Sequence, residues 1–480
     1  MKTRKTFLVY LSFLCLGFTP ILVMGQSLPH TFSANTSAKA SEVNANFTYL
    51  LERFGLRKTT VDCSNPSASI TNALKNYNHI VITGKCTENL DLDPPSNPHR
   101  LVILEGLSSH LVDGIRASDS SKPVVEAKGP FTIVLEKLQL TGGSVGFLGL
   151  NGPTIVLENL LVEGNSQDGI VSYGGTKTFI EDSTIRNNGK FAIVSGGASF
   201  SYLKNNTITG HTNQGSILIE SAASAFIDNN TITGSKYNGI EIATASSAKI
   251  RNNTITGSTN GGGIRVRSAS NAILERNIIT GNSGTGLSID ENSTVTLAGG
   301  DTISGNSGRA IDVHAGSNLH MWCDQQLTSP TTISANSSND AIKAGLNSTL
   351  NLCNLTLTSP QKVGIRVGGG SSIYLRNMII TGSTDYGIRA FGAKVTADNV
   401  TITGSGNAEI KSFDSTTRLR NSTIAGTAGE NEIKLYFGSK LFIESGTTIT
   451  GTINCNGNSN NTGHVIDNND NVNIVTTGCQ

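Results

Sequence analysis

The chain has 480 residues, a formal net charge of +1, 15% charged residues, 5% aromatics and 53 glycines. A charge so near zero provides no global field to hold nucleic acid or an anionic membrane surface. The density of Asn, Ser, Thr and Gly alone would fit a disordered chain, but Ile, Leu and Val recur too regularly for that.

At the start, Met1, Lys2, Arg4 and Lys5 form a basic end ahead of an apolar run from Phe7 to Met24. Small residues at Gly25 place a signal-peptidase site near Gly25–Gln26, so residues 1–25 read as a signal peptide. The competing reading, a retained anchor, needs about 20 uninterrupted apolar residues, and Pro20 interrupts this run. No later segment is long and apolar enough to span a membrane. The expectation is a secreted protein: extracellular, on the cell surface or in the periplasm. Residues 26–58 form an amino-terminal segment in which Val43, Phe47, Leu50 and Phe54 draw an apolar seam along an expected helix over 37–54. That helix either folds onto the body or serves as an oligomerising stem, for which a homotrimer is the expected form. A shorter amphipathic stretch, SITNALKN at Ser69 to Asn76, reads as a helix capping the amino-terminal end.

Beyond the leader stand Cys63, Cys86, Cys323, Cys353, Cys455 and Cys479, in three sequence-local pairs. With no CxxC and no zinc spacing, they read as disulfides of an oxidising compartment, and no metal or other cofactor is expected.

The word NNTITG occurs at Asn205–Gly210, Asn229–Gly234 and Asn252–Gly257, and degenerate copies end at Gly281, Gly305, Gly382, Gly404, Gly426 and Gly451. Internal repetition outranks length as evidence of architecture. Each unit carries three short runs of period two, for example NTIT, then GIRVR, then NAILER, so that Ile240 and Ile242 point one way and Glu241 the other. Three such strands and three turns close one coil of a solenoid. The repeat predicts an all-β fold: a single parallel β-helix over 59–452, about fifteen coils of roughly 22 to 25 residues, with a disulfide-closed tail over 453–480. Strands of successive coils stack about 4.8 Å apart, giving a rod roughly 70 Å long. Asn159, Asp182, Asn205, Asn229, Asn252, Asn354, Asn377, Asn399 and Asn421 fall five residues before the marker position and predict a structural amide ladder.

On these repeats the chain resembles the right-handed parallel β-helix proteins of the pectin-lyase-like class, over about Val61 to Gly451. The resemblance implies the fold and leaves function open, because this scaffold carries lyases, hydrolases, epimerases, adhesins and tailspikes. Cys323 and Cys353 end the third strands of neighbouring coils, which suits a bridge between them; Cys63–Cys86 and Cys455–Cys479 would brace the two ends.

Function is sought on the outward positions of the second strand. In mid-chain these carry Glu220, Glu241, Arg265, Arg267, Asp290, Asp312 and His314. Carboxylates on neighbouring coils suit acid–base chemistry on a polysaccharide, and an Arg or His beside an acid suits proton abstraction from a uronic acid. If the protein is an enzyme, Glu241, Arg267, Asp290, Asp312 and His314 are the candidates, for a lyase or epimerase before a hydrolase. The plainer reading is a ladder of opposite charges. Towards the carboxy terminus, Lys343, Arg366, Arg389, Lys411 and Lys434 line up beside Phe391, Phe413 and Tyr436. Like charges at strand spacing repel unless a partner screens them, so this stripe is a candidate groove for an anionic polysaccharide or cell-surface glycan. The signatures of similar polygalacturonases and alginate epimerases (paired aspartates, Gly-His-Gly, Asp-Pro-His-Asp) are absent, as is a calcium-binding acid cluster. His211 reads as a loop residue and Trp322 as packing beside Cys323. The sequence therefore favours a non-catalytic carbohydrate-binding or adhesin-like rod over a polysaccharide lyase or C5-epimerase, with a structural spacer third.

Overall fold

The computed structural model describes residues 56–93, 100–108, 112–323, 331–335, 338–358, 362–426, 431–455, 463–467 and 475–479. The expected leader and the expected helix over 37–54 lie outside these residues. The unit treated below spans Thr59–Gln480.

Each residue of NNTITG has its own task. Asn205, Asn229 and Asn252 adopt left-handed backbone with φ of 56°, 55° and 55°, a region Asn enters more cheaply than most L-residues. The second Asn turns inward and is buried. Thr-Ile-Thr forms a three-residue strand whose Ile is fully buried, as at Ile208, Ile232 and Ile255. Gly210 and Gly234, at φ of 74° and 67°, make the next turn, where a Cβ would be strained.

Strands of equal position pair in parallel from coil to coil, giving three sheets. Sheet I, with 11 strands, holds the Thr-Ile-Thr segments; sheet II holds segments such as Ile240–Ile242; sheet III holds segments such as Ser247–Arg251. In the later coils sheet III absorbs sheet I, as the ten-residue strands Ser372–Thr381 and Lys394–Thr403 run through the Asn turn. The protein is thus a right-handed parallel solenoid of about 17 turns. This exceeds fifteen because the first and last coils lack the marker word. The core is a set of Ile, Leu and Val columns running along the rod, among them Ile217, Ile240, Ile264, Leu287 and Ile311.

The ends differ from expectation. Where a cap helix was expected over 69–76 there is one turn, Ile70–Ala73, with Ser69 Oγ accepting from Asn72 N at 3.1 Å. After residue 452, His464–Asp467 and Val475–Thr477 pair onto preceding strands, so the tail continues the solenoid. All three expected disulfides are formed, with Cα–Cα distances of 4.9 Å for Cys63–Cys86, 5.7 Å for Cys323–Cys353 and 4.8 Å for Cys455–Cys479.

The expected amide ladder forms, and a second, buried one lies one residue further on. In the left-handed column exposed amides link, Asn229 Nδ2 donating to Asn205 Oδ1 at 2.8 Å. The buried ladder is Asn206, Asn230, Asn253 and Asn277, ending on Asp301. Each amide donates to the next coil's carbonyl oxygen and to a backbone carbonyl, as Asn230 Nδ2 does to Leu203 O at 3.0 Å. Asp301 accepts from Asn277 N and Nδ2, both at 2.9 Å, while its Oδ2 is buried without a partner. Burial pushes its carboxyl up to about 6. A second buried set lies past sheet I, where Asn282 donates to Asn306. His211 stands in its row. It is buried, not looped out, and burial drives its imidazole down to about 4.

Candidate functional site

Sheet II presents three outward columns, fixed by register. The central one runs Leu148, Val171, Val194, Leu218, Glu241, Arg265, Ser288, Asp312, Lys343, Arg366, Arg389, Lys411 and Lys434. A second lies two residues further along each strand and contains Tyr173, Asp290, His314, Phe391, Phe413 and Tyr436. The third lies two residues ahead of the inward Ile170, Ile193, Ile311, Ile342 and Ile388 and contains Asp168, Phe191, Arg309, Asp340 and Tyr386, the last being the first residue of its strand. Reading two columns from the sequence misses this third one; its signal is that fixed offset.

The columns divide the face into three zones. In the middle zone every candidate acid is engaged. Glu241 pairs with Arg267 at 2.6 Å and accepts from Asn238 Nδ2 at 3.2 Å. Asp290 pairs with Arg265 at 3.2 Å, and Asp312 with Arg309 at 3.2 Å and Lys343 at 3.9 Å. His314 lies over Gly345, where a Cβ would stand 3.1 Å from its ring. These residues form a cross-coil charge ladder in which the cations hold the carboxylates.

The carboxy-terminal zone is different. Lys343, Arg366, Arg389, Lys411 and Lys434 do form one column, but its first two members are held by acids. Arg366 pairs with buried Asp340 at 2.7 Å, and Lys343 has Asp312. Among the described residues no carboxylate ion-pairs with Arg389, Lys411 or Lys434. Aromatic rings surround Arg389 and Lys411 instead. The Arg389 guanidinium carbon stands 4.8 Å from the Phe391 centroid and 5.5 Å from that of Tyr386. Lys411 Nζ stands 4.9, 5.1 and 5.5 Å from the rings of Tyr386, Phe413 and Tyr436, and donates to Tyr386 Oη at 2.9 Å. Lys434 Nζ donates to Asn407 Oδ1 at 2.7 Å. Phe391, Phe413 and Tyr436 stack along the rod with centroids 4.8 and 4.7 Å apart. Cation–ring contact stabilises Arg389 and Lys411 by roughly 0.5–2 kcal/mol each without consuming their charge, so the stripe keeps an unneutralised positive edge beside flat apolar faces.

In the amino-terminal zone the central column turns apolar. Val171 and Val194, although outward, are buried beneath Phe191 and Tyr173. They floor a cavity of about 290 Å³ that the sequence reading did not single out. Trp322 is 53% exposed, so it is a surface residue and not packing.

Residues 203–348 match the family model described as right handed beta helix region, and residues 78–256 match that described as periplasmic copper-binding protein (NosD). With the repeat and the three sheets, this makes the chain a right-handed parallel β-helix repeat protein by fold. No curated protein matches the chain. Among solved structures, the Vag8–C1 inhibitor complex is similar at 13% identity over 75% of this chain and 98% of that one, with a TM-score of 0.49. The periplasmic alginate epimerase AlgG is similar at 12% identity over 67% and 76%, with a TM-score of 0.39. The Azotobacter vinelandii mannuronan C-5 epimerase AlgE6 A-module is similar at 15% identity over 86% and 95%, also at 0.39. Likenesses at this level carry no functional argument. The copper of the second family description finds no fitting donor set: among the described residues no three His, Cys, Asp or Glu side chains converge. Within the matched stretch His79 hydrogen-bonds Glu105, His211 is buried in the Asn row, and Cys86 is in a disulfide.

Proposed function

We propose that this protein is a secreted, non-catalytic rod that holds an anionic saccharide along the carboxy-terminal half of sheet II. One observation carries this reading: Arg389, Lys411 and Lys434 occupy consecutive coils with no carboxylate partner among the described residues, beside a stack of three aromatic rings. Acidic sugars offer carboxylates for the cations and C–H faces for the rings. Three disulfides fit an oxidising compartment outside the cytoplasm. The lyase or epimerase reading is weakened because Glu241, Asp290 and Asp312 are each held by an arginine, which disfavours a free base.

The test is titration with polygalacturonate and with alginate, followed by calorimetry and by ultraviolet absorbance of unsaturated products. Arg389→Ala/Lys411→Ala should lower affinity by about tenfold or more, equal to about 1.4 kcal/mol. Arg366→Ala should change little, because Asp340 already engages that charge. Unsaturated products that disappear in Arg267→Ala would refute the non-catalytic reading. Undiminished affinity in the double variant would remove the stripe as the site.

A further inference from the structure

The cavity in the amino-terminal zone has the construction of a separate small-ligand site, independent of the basic stripe. Its floor is Val171, Val194 and Leu218, three successive members of the central column. Its two walls are aromatic, and one of them depends on glycine. Tyr173 lies across Gly196 of the next coil, where any Cβ would collide with the ring, and its hydroxyl donates to Glu220 one coil further on. Phe191 on the opposite side lies against Gly215, where a Cβ would stand 3.5 Å from the ring. Each ring thus spans a coil that lacks a side chain there, leaving a trough between them over the aliphatic floor. The Tyr173–Glu220 hydrogen bond fixes one wall; Phe191 N donates to Asp168 Oδ1 at 2.9 Å and anchors the other.

The rim selects the ligand. It offers the carboxylates of Asp168 and Glu220, the Gln214 amide and the Tyr173 hydroxyl, against the single ammonium of Lys190. Acceptors outnumber cations, so a bound molecule must bring hydrogen-bond donors, and a carboxylate on it would meet two like charges. The floor asks for an apolar face. At about 290 Å³ the space lies at the lower end of small-molecule sites. We infer that this trough binds one ring of a pyranose sugar without a carboxylate, its C–H face on Val194 and its hydroxyls towards Asp168, Gln214 and Glu220. On this basis sheet II carries two sites of opposite preference, separated by about seven coils from Leu218 to Arg389, or roughly 35 Å.

The experiment is saturation-transfer NMR on the whole protein with methyl glucopyranoside, glucosamine and glucuronate as probes. The neutral glycoside should show saturable transfer to its ring C–H protons, with glucuronate at least about tenfold weaker. Glucosamine binding more tightly than the glycoside would assign Asp168 or Glu220 to an ammonium and support the same pocket. Val194→Asp should abolish transfer, and Gln214→Ala, at a half-buried rim position, should weaken it while leaving the thermal midpoint unchanged. Arg389→Ala/Lys411→Ala should leave it intact, which separates this site from the basic stripe. No saturable transfer from any probe, glucuronate binding as well as the glycoside, or transfer unaltered by both Val194→Asp and Gln214→Ala would overturn the inference.

Discussion

Asp301→Asn should stabilise the protein, and by an amount that depends on pH. Asp301 ends a run of four buried asparagines, accepts two hydrogen bonds through Oδ1 and has an unpartnered buried Oδ2. Burial raises its carboxyl from 3.8 to about 6, against the hydrogen bonds from Asn277, which pull it down. The fold therefore favours the protonated form. That contribution is complete below about pH 3.8 and is lost as pH rises through about 6, a difference of about 3 kcal/mol. Asparagine has the same shape, carries no charge and supplies the amide donor that the four preceding members direct at backbone carbonyls. Urea unfolding of both proteins at about pH 4 and about pH 8, with the m-value checked for change, reads the effect. The variant should gain up to about 3 kcal/mol at the higher pH and little at the lower. A gap that stays the same at both pH values would refute the argument that a buried charge, and not packing, sets the cost.

His211 should act in the opposite direction. Its imidazole is held down to about 4 from 6.5, so the fold loses stability as pH falls through that interval, and His211→Asn should flatten the acid limb of a pH–melting curve. Opening the Cys323–Cys353 bridge by a double Ser substitution releases a loop closed at a separation of 30 residues, which chain entropy values at about 3–4 kcal/mol. Chemical denaturation of the double variant against the oxidised parent would measure it, and an unchanged midpoint would contradict the figure.

The architecture was readable because strand alternation has a period of two and the repeat restarts it every coil. Placing Ile240 inward places Glu241 outward, and the same rule in the next coil sets Arg265 beside it. The central column of sheet II was therefore legible residue by residue, as were the three disulfides. The partners that decide what the column can do were not. Asp340, which engages Arg366, lies ahead of its strand, where alternation gives no direction, and Tyr386, which contacts both Arg389 and Lys411, opens its strand at a position that strict alternation from Arg389 would turn inward. The second, buried amide row was not foreseen because NN offers two candidates, and only the left-handed φ of the first shows which turns inward. The trough between Tyr173 and Phe191 depends on what Gly196 lacks, and a missing side chain leaves little trace in a glycine-rich chain.

The asparagine row has a direction. Each amide accepts from the amino-terminal side and gives one proton to the side chain of the next coil, its other donation turning back to a backbone carbonyl of an earlier coil, so the side-chain links fit only one way round. Any link that can both give and take may be followed by another of its kind; a carboxylate, which only takes, cannot pass the chain on. Asp301 is thus a stop in a sequence of interchangeable units. Upstream of it the rod can gain or lose whole coils by duplication or deletion while each junction keeps the same bonds. The length of this half of the molecule is in that sense adjustable, and the distance between the two zones of sheet II is set by counting coils.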